Sequence, residues 1–367
     1  MRLNRRAALQ LTAAATLTST LFGSAHAARY RKRVLILGGT GFIGPHFVKA
    51  LMDGGHLVTL FNRGKRDPEA HPGVEQLLGD RDGKLEALAG RPWDAVIDNS
   101  GYVPRVVRQS AELLKPQVKQ YIFISSIAAY ADFAKPGIDE NYRRGKLDDT
   151  TIEQVSGKTY GPLKALCEDV VNEVYGKNAT IIRPTYIAGP GDYTDRFTYW
   201  PVRVARGGEM LAPGTPADPI AYIDVRDIAD FIRTCVEHHV TGPYNMVNPP
   251  GRATMGGLLE TSKHVTGANP TITWAPVDFL RAQGLIATEL VPTPQLPLWD
   301  PPTGATAGIG LMKCDRAIAA GMKFRTMEQT VRDTLEWQKS RPAENQVMKS
   351  GLKPEREAEL LKLLHGA

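Results

Sequence analysis

The chain has 367 residues and a formal net charge of +6, with 42% hydrophobic and 23% charged residues. This is the composition of an ordinary globular protein with one large or two modest cores, and the charge is too mild to argue for a nucleic-acid or anionic-membrane partner. The three cysteines, Cys167, Cys235 and Cys314, are odd in number and widely spaced, which suits neither a disulfide framework nor a metal site; they read as small buried hydrophobes.

Residues 1–27 stand outside the expected fold. Asn4-Arg5-Arg6 precedes a weakly apolar stretch, Ala7 to Phe22, and Ala25-His26-Ala27 forms a small-x-small cleavage site. The pattern is that of a twin-arginine export signal. A membrane anchor is the alternative, but the stretch is short and rich in Thr and Ser. Cleavage would remove Arg2, Arg5, Arg6 and no acid, lowering the charge from +6 to +3. The expected location is periplasmic; a cytoplasmic one would require the signal to be non-functional.

Val34 to Leu37 is an apolar run expected to form a strand buried on both faces. Gly38, Gly41 and Gly44 follow with G-x-x-G-x-x-G spacing. Phe47, Val48, Leu51 and Met52 then continue at helical spacing until Gly54-Gly55. Strand, glycine turn and helix make a phosphate-binding unit, because glycines admit a pyrophosphate and a helix N-terminus offers free N–H groups. His56 to Asn62 reads as a second strand. Where an acid would hold the ribose 2′-hydroxyl of NAD, the chain has Asn62-Arg63-Gly64-Lys65-Arg66. Three cations and no carboxylate favour NADP, although a solvated basic loop has the same composition.

Val74 to Leu78 is expected as a third strand, ending in Gly79-Asp80-Arg81-Asp82. Asp80 can accept from an adenine amino group or cap a helix at Lys84 to Leu88. Further strands are expected at Trp93 to Asn99, which runs into Ser100-Gly101, at Gln120 to Ser126 and at Ala179 to Arg183, with helices at Arg105 to Lys115 and Tyr160 to Tyr175. This alternation predicts a doubly wound parallel sheet, with ligands beyond the strand C-terminal ends. Residues 132–158 read as a loop walling a cleft. From Pro184 to Pro219 the periodicity fades. Ala221 to Cys235 returns to strand-then-helix, Tyr244 to Val247 is a short strand, and helices are expected at Thr254 to Val265, Cys314 to Ala320, Met327 to Lys339 and Glu355 to Leu364. The expected organisation is a nucleotide-binding domain at 28–183, rejoined by 221–247. A smaller substrate lobe takes 184–220 and 248–340, and 341–367 carries a terminal helix.

Tyr160 and Lys164 are four apart and share a helix face. A phenol titrates near 10, too high for a base at neutral pH, and a neighbouring ammonium lowers it. Such a tyrosine can exchange a proton with a substrate hydroxyl while hydride moves to or from a nicotinamide. Ser126, at a strand end, can hold the same oxygen. Alone, this spacing is usually a solvated helix face; its position after the fifth strand and a double serine gives it weight. Within GPGDYTDRFTYW, residues 189–200, the groups Asp192, Asp195, Arg196, Tyr199 and Trp200 mix hydrogen bonding and stacking as a carbohydrate site needs; a loop packed by its own aromatics would look the same. Asp224 and Asp227 read as structural, holding the loop and capping the next helix.

GGTGFIG, ISSIAAY, YGPLK and IIRPTYIAGPGD, in that order, resemble the extended short-chain dehydrogenase/reductases, the NAD-dependent epimerase/dehydratase family. The resemblance spans about residues 33–340 and implies a Rossmann α/β fold with a smaller C-terminal substrate lobe. It implies Tyr160 as acid/base, Lys164 as the group that lowers its pKa and binds the nicotinamide ribose, and Ser126 rather than Ser125 as ligand of the reacting oxygen. Gly38, Thr40, Gly41, Phe42, Ile43 and Gly44 would line the pyrophosphate. Asn62, Arg63, Asp80 and Ser100 would lie along the adenosine side, and Pro184 and Tyr186 near the nicotinamide. Asp195, Arg196, Tyr199 and Trp200 are the expected substrate contacts. Asn62-Arg63 departs from acid-bearing members and is similar to an atypical branch, some of whose members are described as RNA-binding. A homodimer through the helices at Arg105–Lys115 and Tyr160–Tyr175 is implied by the resemblance only.

An exported protein with a trapped nicotinamide cannot run net oxidation for long. The expected reaction is therefore redox-neutral: epimerisation of a sugar or polyol-like alcohol through a transient ketone, with NAD(P), leaning to NADP, tightly held. A cofactor-exchanging dehydrogenase or carbonyl reductase, and a non-catalytic NADP- or RNA-binding protein, are the alternatives.

Overall fold

In the computed structural model, residues 31–65, 71–286 and 295–366 are described. The expected export signal at 1–27 and Arg66 of the basic run lie outside them. The strands β1 (Arg33–Leu37), β2 (Leu57–Asn62), β3 (Glu75–Leu78), β4 (Trp93–Asp98), β5 (Val118–Ile124), β6 (Ala179–Pro184) and β10 (Gly242–Met246) form one sheet in the order β10-β6-β5-β4-β1-β2-β3. Every pairing is parallel, as expected of a doubly wound sheet whose connections cross over through helices.

Side-chain alternation along β1 explains the layers. Val34 and Ile36 join the core made with Phe47, Val48 and Leu51 of α1 (Gly44–Asp53) and Ile228 and Ile232 of α5 (Val225–His238). Leu35 and Leu37 join the opposite core, with Val107, Ala111 and Leu114 of α2 (Pro104–Leu114) and Val170 and Val171 of α3 (Tyr160–Tyr175). All four β1 side chains are completely buried, so a two-faced strand needs the unbroken apolar run that the sequence shows. The reversal of strand order at β1/β4 opens the crevice beyond their C-terminal ends, where the glycine turn lies.

A separate core gathers later segments: α4 (Tyr199–Ala205), β8 (Glu209–Pro213), α6 (Met255–Thr266), β11 (Thr271–Ala275), α7 (Val277–Ala282), the strap 296–299, α9 (Met327–Ser340) and α10 (Pro354–His365). Trp200, Met210, Leu258, Val331 and Leu360 are buried within it. The strand expected after Ala221 is β9 (Ile223–Asp224), but its parallel pairing with β7 (Ile187–Ala188), and the pair of β8 with β11, were not expected. The partners are distant in sequence, so local periodicity carries no trace of the pairings. The helix expected at Lys84 to Leu88 is a single 3₁₀ turn, Glu86–Leu88, because Asp80 and Lys84 close a tight loop with reciprocal backbone hydrogen bonds. The short helix α8 (Asp315–Ala319) lies beside β10.

A buried polar chain ties these elements. Arg183 of β6 donates from Nε and Nη2 to Glu168 of α3, at 2.9 and 2.7 Å, and Glu168 is wholly inaccessible. Ser125 Oγ donates to the same carboxylate at 2.6 Å. Arg183 Nη1 donates to Tyr130 Oη, which donates to Asn245. The first half of the 132–158 segment is held by the same chain, through Glu140 Oε1 accepting from the Asn245 amide and Arg144 reaching Glu168 and Asp169.

Arg183→Met leaves the Glu168 carboxylate buried with only Ser125 and the longer Arg144 contact, and is expected to cost about 3–5 kcal/mol of stability in urea unfolding. The double variant with Glu168→Gln should recover part of that loss; a double variant no more stable than the single one would show that the charge is not the cause.

Candidate functional site

The glycine turn follows directly from β1. Gly38 and Gly39 have φ of +106° and +93°, a region L side chains avoid. A Cβ at Gly44 would lie 2.4 Å from the carbonyl carbon and oxygen of Gly39, so only glycine lets α1 start so close to the turn. The helix has no side-chain N-cap and no acid in its first turn. Pro45 has no N–H to offer, but the other leading amides have no side-chain cap, and the turn fits a pyrophosphate. Thr40, Gly41, Phe42 and Ile43 complete the turn between β1 and α1.

The residues expected on the adenosine side are partly spent on their own loops. Asn62 Oδ1 accepts from the Gly64 amide at 2.8 Å, and its Nδ2 donates to Gln76. Arg63 is exposed. Asp80 accepts from the Asp82 amide. Ser100 Oγ donates to the Leu37 carbonyl at 3.1 Å, which sets it beside Gly38. Beneath it, Arg81 makes a two-pronged pair with Asp98, at 2.6 and 2.7 Å, and Tyr121 and Ser110 join the same network. Sequence reading singled out neither Arg81 nor Asp98. The one signal was an arginine inside the acidic strand-end run Asp80-Arg81-Asp82, close to the pattern of a paired charge.

Ser126 and Tyr160 meet because of Gly161. A Cβ there would lie 2.1 Å from the Ala128 carbonyl oxygen, so α3 begins hard against the 3₁₀ turn Ile127–Ala129. Ser126 caps that turn, accepting from the Ala128 amide at 3.2 Å, which leaves its own hydroxyl hydrogen to donate. Ser125 instead turns inward to Glu168. Lys164, one helical turn on, is buried. Its Nζ donates to the carbonyls of Gly101 at 2.7 Å and Ile124 at 2.6 Å and lies 5.0 Å over the Tyr102 ring. Tyr102, also missed in the sequence, sits 6.4 Å from Tyr160 between ring centroids.

Burial pushes the Tyr160 phenol above its ordinary value, and Ser126 and Arg196 offset this. In the ligand-free protein the Lys164 ammonium is engaged by two carbonyls. Burial also lowers Lys164 itself to about 8.

On the other wall, the Arg196 guanidinium lies 5.0 Å over the Tyr186 ring, with Nε donating to Thr194 Oγ1. Tyr186 Oη donates to Asp300 Oδ2 at 3.4 Å. Pro184 is buried at the end of β6. Phe42 packs edge-on against Tyr193, and His46 Nε2 is 2.8 Å from the Pro190 carbonyl, so the 189–193 segment lies against the glycine turn. Three expected substrate contacts are corrected. Asp195 is fully buried, accepting from Arg341 at 2.6 Å and from the Lys349 amide. Trp200 is fully buried with its indole donating to the Pro297 carbonyl. Tyr199 packs against Gly351. Their aromatic and charged groups build the second core, while Arg196 alone of the four remains at the cleft. Asp224 caps α5 through the Arg226 amide, as expected.

A model of the NAD dependent epimerase/dehydratase family matches residues 34–115 and 89–248. Chloroplast stem-loop binding protein of 41 kDa b from Arabidopsis thaliana is 30% identical over 222 residues, covering 54% of this chain and 53% of that protein. The chain thus spans about half the length of that curated relative. Among solved structures, an enzyme named WbmH from Bordetella bronchiseptica, in complex with NAD+, aligns with a TM-score of 0.60 at 16% identity over 85% of this chain and 100% of its own. A putative epimerase from Burkholderia cenocepacia aligns with a TM-score of 0.61 at 16% identity over 84% and 99%. At these identities the structural likeness establishes the fold.

In the ligand-free protein the Tyr160 phenol should stay protonated up to and beyond pH 10. The tyrosinate absorbance difference between wild type and Tyr160→Phe checks this. A step between about pH 7 and 9 would mean that Lys164 acts on the phenol before any ligand binds.

Proposed function

The chain belongs to the NAD dependent epimerase/dehydratase family, and on that premise we propose that it is an NAD(P)-dependent epimerase or oxidoreductase acting on a sugar or polyol-like secondary alcohol. The observation that carries this reading is the start of α3, with Tyr160, set hard against the turn that Ser126 caps, enforced by the contact of Gly161 with Ala128. A bound nicotinamide would supply the hydride acceptor and donor. Ser126 would donate to the reacting oxygen and Tyr160 would move its proton. Because burial holds the phenol protonated, its resting role is that of an acid toward a carbonyl. Lys164, anchored on two carbonyls, fixes the wall of the site and offers an amine that titrates near neutrality, at about 8.

The glycine turn and the uncapped N-terminus of α1 support a pyrophosphate at Gly38 to Gly44. Exposed Arg63, with Asn62 folded onto its own loop, supports NADP over NAD. We place the protein outside the cytoplasm on the strength of Asn4-Arg5-Arg6 and Ala25-His26-Ala27. Such a location favours a redox-neutral cycle with a tightly held cofactor, because hydride then leaves and returns within one turnover. It also favours a free sugar or polyol over a nucleotide sugar. Pairing of α2 and α3 between two copies is part of this proposal.

A second reading, RNA binding, rests on the name of the Arabidopsis relative, a stem-loop binding protein. The modest charge and the retention of Ser126, Tyr160 and Lys164 weigh against it.

Mass spectrometry of nucleotide released from the native, signal-processed protein should find NADP or NADPH, and Arg63→Ala should erode its preference over NAD. Tyr160→Phe should keep the cofactor and lose about 10²–10⁴-fold in turnover. Protein free of nicotinamide that binds it only weakly would overturn the proposal. Tight, salt-sensitive binding of an RNA stem-loop that Tyr160→Phe leaves unchanged would favour the second reading.

A further inference from the structure

Many buried acids in this fold are ion-paired. Asp98 faces Arg81, Glu168 faces Arg183, Asp195 faces Arg341, Asp224 faces Arg226 and Glu357 faces Arg203. Buried Glu140, Asp192 and Asp218 have neutral donors instead, and half-buried Asp300 has less than these. Among the described residues, the contact of its carboxyl group is the Tyr186 hydroxyl at 3.4 Å, long for a hydrogen bond between two oxygens. No cation lies within ion-pair distance of it among those residues.

Its position is enforced. The strap 296–300 runs through the second core with Leu296, Leu298 and Trp299 buried. The Trp200 indole donates to the Pro297 carbonyl at 2.7 Å, and the Trp299 indole donates to Asp218 Oδ2 at 2.8 Å. Between these two clamps Leu298 takes φ of +67°, a region bulky side chains avoid. Strain of this kind persists only where the surroundings over-determine it, and it gathers at functional sites. Here it brings a carboxyl group without a cation to the wall that holds Tyr186 and Arg196, and Arg196 in turn acts on the Tyr160 phenol. A second carboxyl oxygen on that wall, Asp192 Oδ2, is buried without a partner. Leaving the buried Asp192 oxygen unsatisfied is costly unless a ligand completes it, whereas the free Asp300 oxygen is open to a ligand.

We propose that Asp300 is the hydroxyl-reading carboxylate of the substrate subsite, accepting hydrogen bonds from a vicinal diol on a polyol whose carbinol meets Tyr160. The inference rests on the polyol reading given above and adds the residue that selects for it. A carboxylate has two acceptor oxygens that can take two neighbouring hydroxyls, and the single Tyr186 contact on Oδ2 leaves Oδ1 for the ligand. Burial raises the Asp300 carboxyl to about 6, which leaves it largely ionised at pH 7 and in need of donors.

The test uses the full chain and its Asp300→Asn variant, with D-glucose, D-galactose, glucitol and myo-inositol as probes and cyclohexanol as the control lacking a diol. Each is titrated by saturation-transfer NMR with and without NADP. At least one polyol should bind wild type, and Asp300→Asn should weaken it about ten- to a hundred-fold. Cyclohexanol should bind both proteins alike, NADP affinity should not change, and the thermal midpoint should not fall, because the carboxyl makes no ion pair and Asn keeps the oxygen that accepts from Tyr186. Failure of all four polyols on wild type, or equal binding by Asp300→Asn, overturns the proposal. So does a loss accompanied by a lowered midpoint that Asp300→Ala shares, since that marks a structural role. Failure of NADP to bind wild type sinks the nicotinamide reading instead, and the titration without NADP still decides Asp300.

Discussion

The arrangement of the site depends on one buried ion pair, Glu168 with Arg183. It joins α3 to β6, and through Ser125 it also holds the end of β5. Two charges taken out of water demand good geometry from everything around them. Glu168 meets that demand with donors from Arg183, Ser125 and Arg144. Because it lies on the same helix as Tyr160 and Lys164, the axis of that helix cannot rotate without unpairing it. The double serine shows the division of labour: Ser125 is locked to the pair, and this turns Ser126 the other way, onto the site.

Close backbone approach is the second constraint. Gly44 against Gly39 and Gly161 against Ala128 bring helix starts to within contact of strand-end turns. In both places the absence of a side chain decides where the next functional group falls. The first leaves amide donors facing the crevice; the second puts a phenol beside a hydroxyl. Lys164 then has little freedom, since it is held by the carbonyl at the end of β5 and by that of Gly101 in the loop after β4.

Features read along one short segment were legible in the sequence. The two-faced strand, the glycine turn, the shared helix face of Tyr160 and Lys164 and the parallel architecture all follow from local spacing. What escaped was set by partners far along the chain. Arg81 with Asp98, the paired strands β8 and β11, and the reason for Gly161 appear only once the sheet brings their partners together. The 189–200 stretch was ambiguous for a physical reason. Aromatic and charged residues among glycines and prolines look alike whether they face a ligand or each other, and burial decided for the latter at Asp195, Tyr199 and Trp200. Spacing along the helix said that a lysine lies near Tyr160, but not that its ammonium rests on the carbonyls of Gly101 and Ile124.

The second core has a bearing on how the protein is made. Its members come from segments between Ala188 and Leu361, and α10 contributes both Leu360 and the Glu357 that pairs with buried Arg203. Contacts between such distant segments bear a large loop-closure entropy before they are rewarded. During synthesis the sheet body can assemble through β6 while this lobe still lacks its closing helix, and Arg203 lacks its carboxylate partner until Glu357 arrives. The lobe therefore completes only after α10 leaves the ribosome, and its apolar surface needs protection until then.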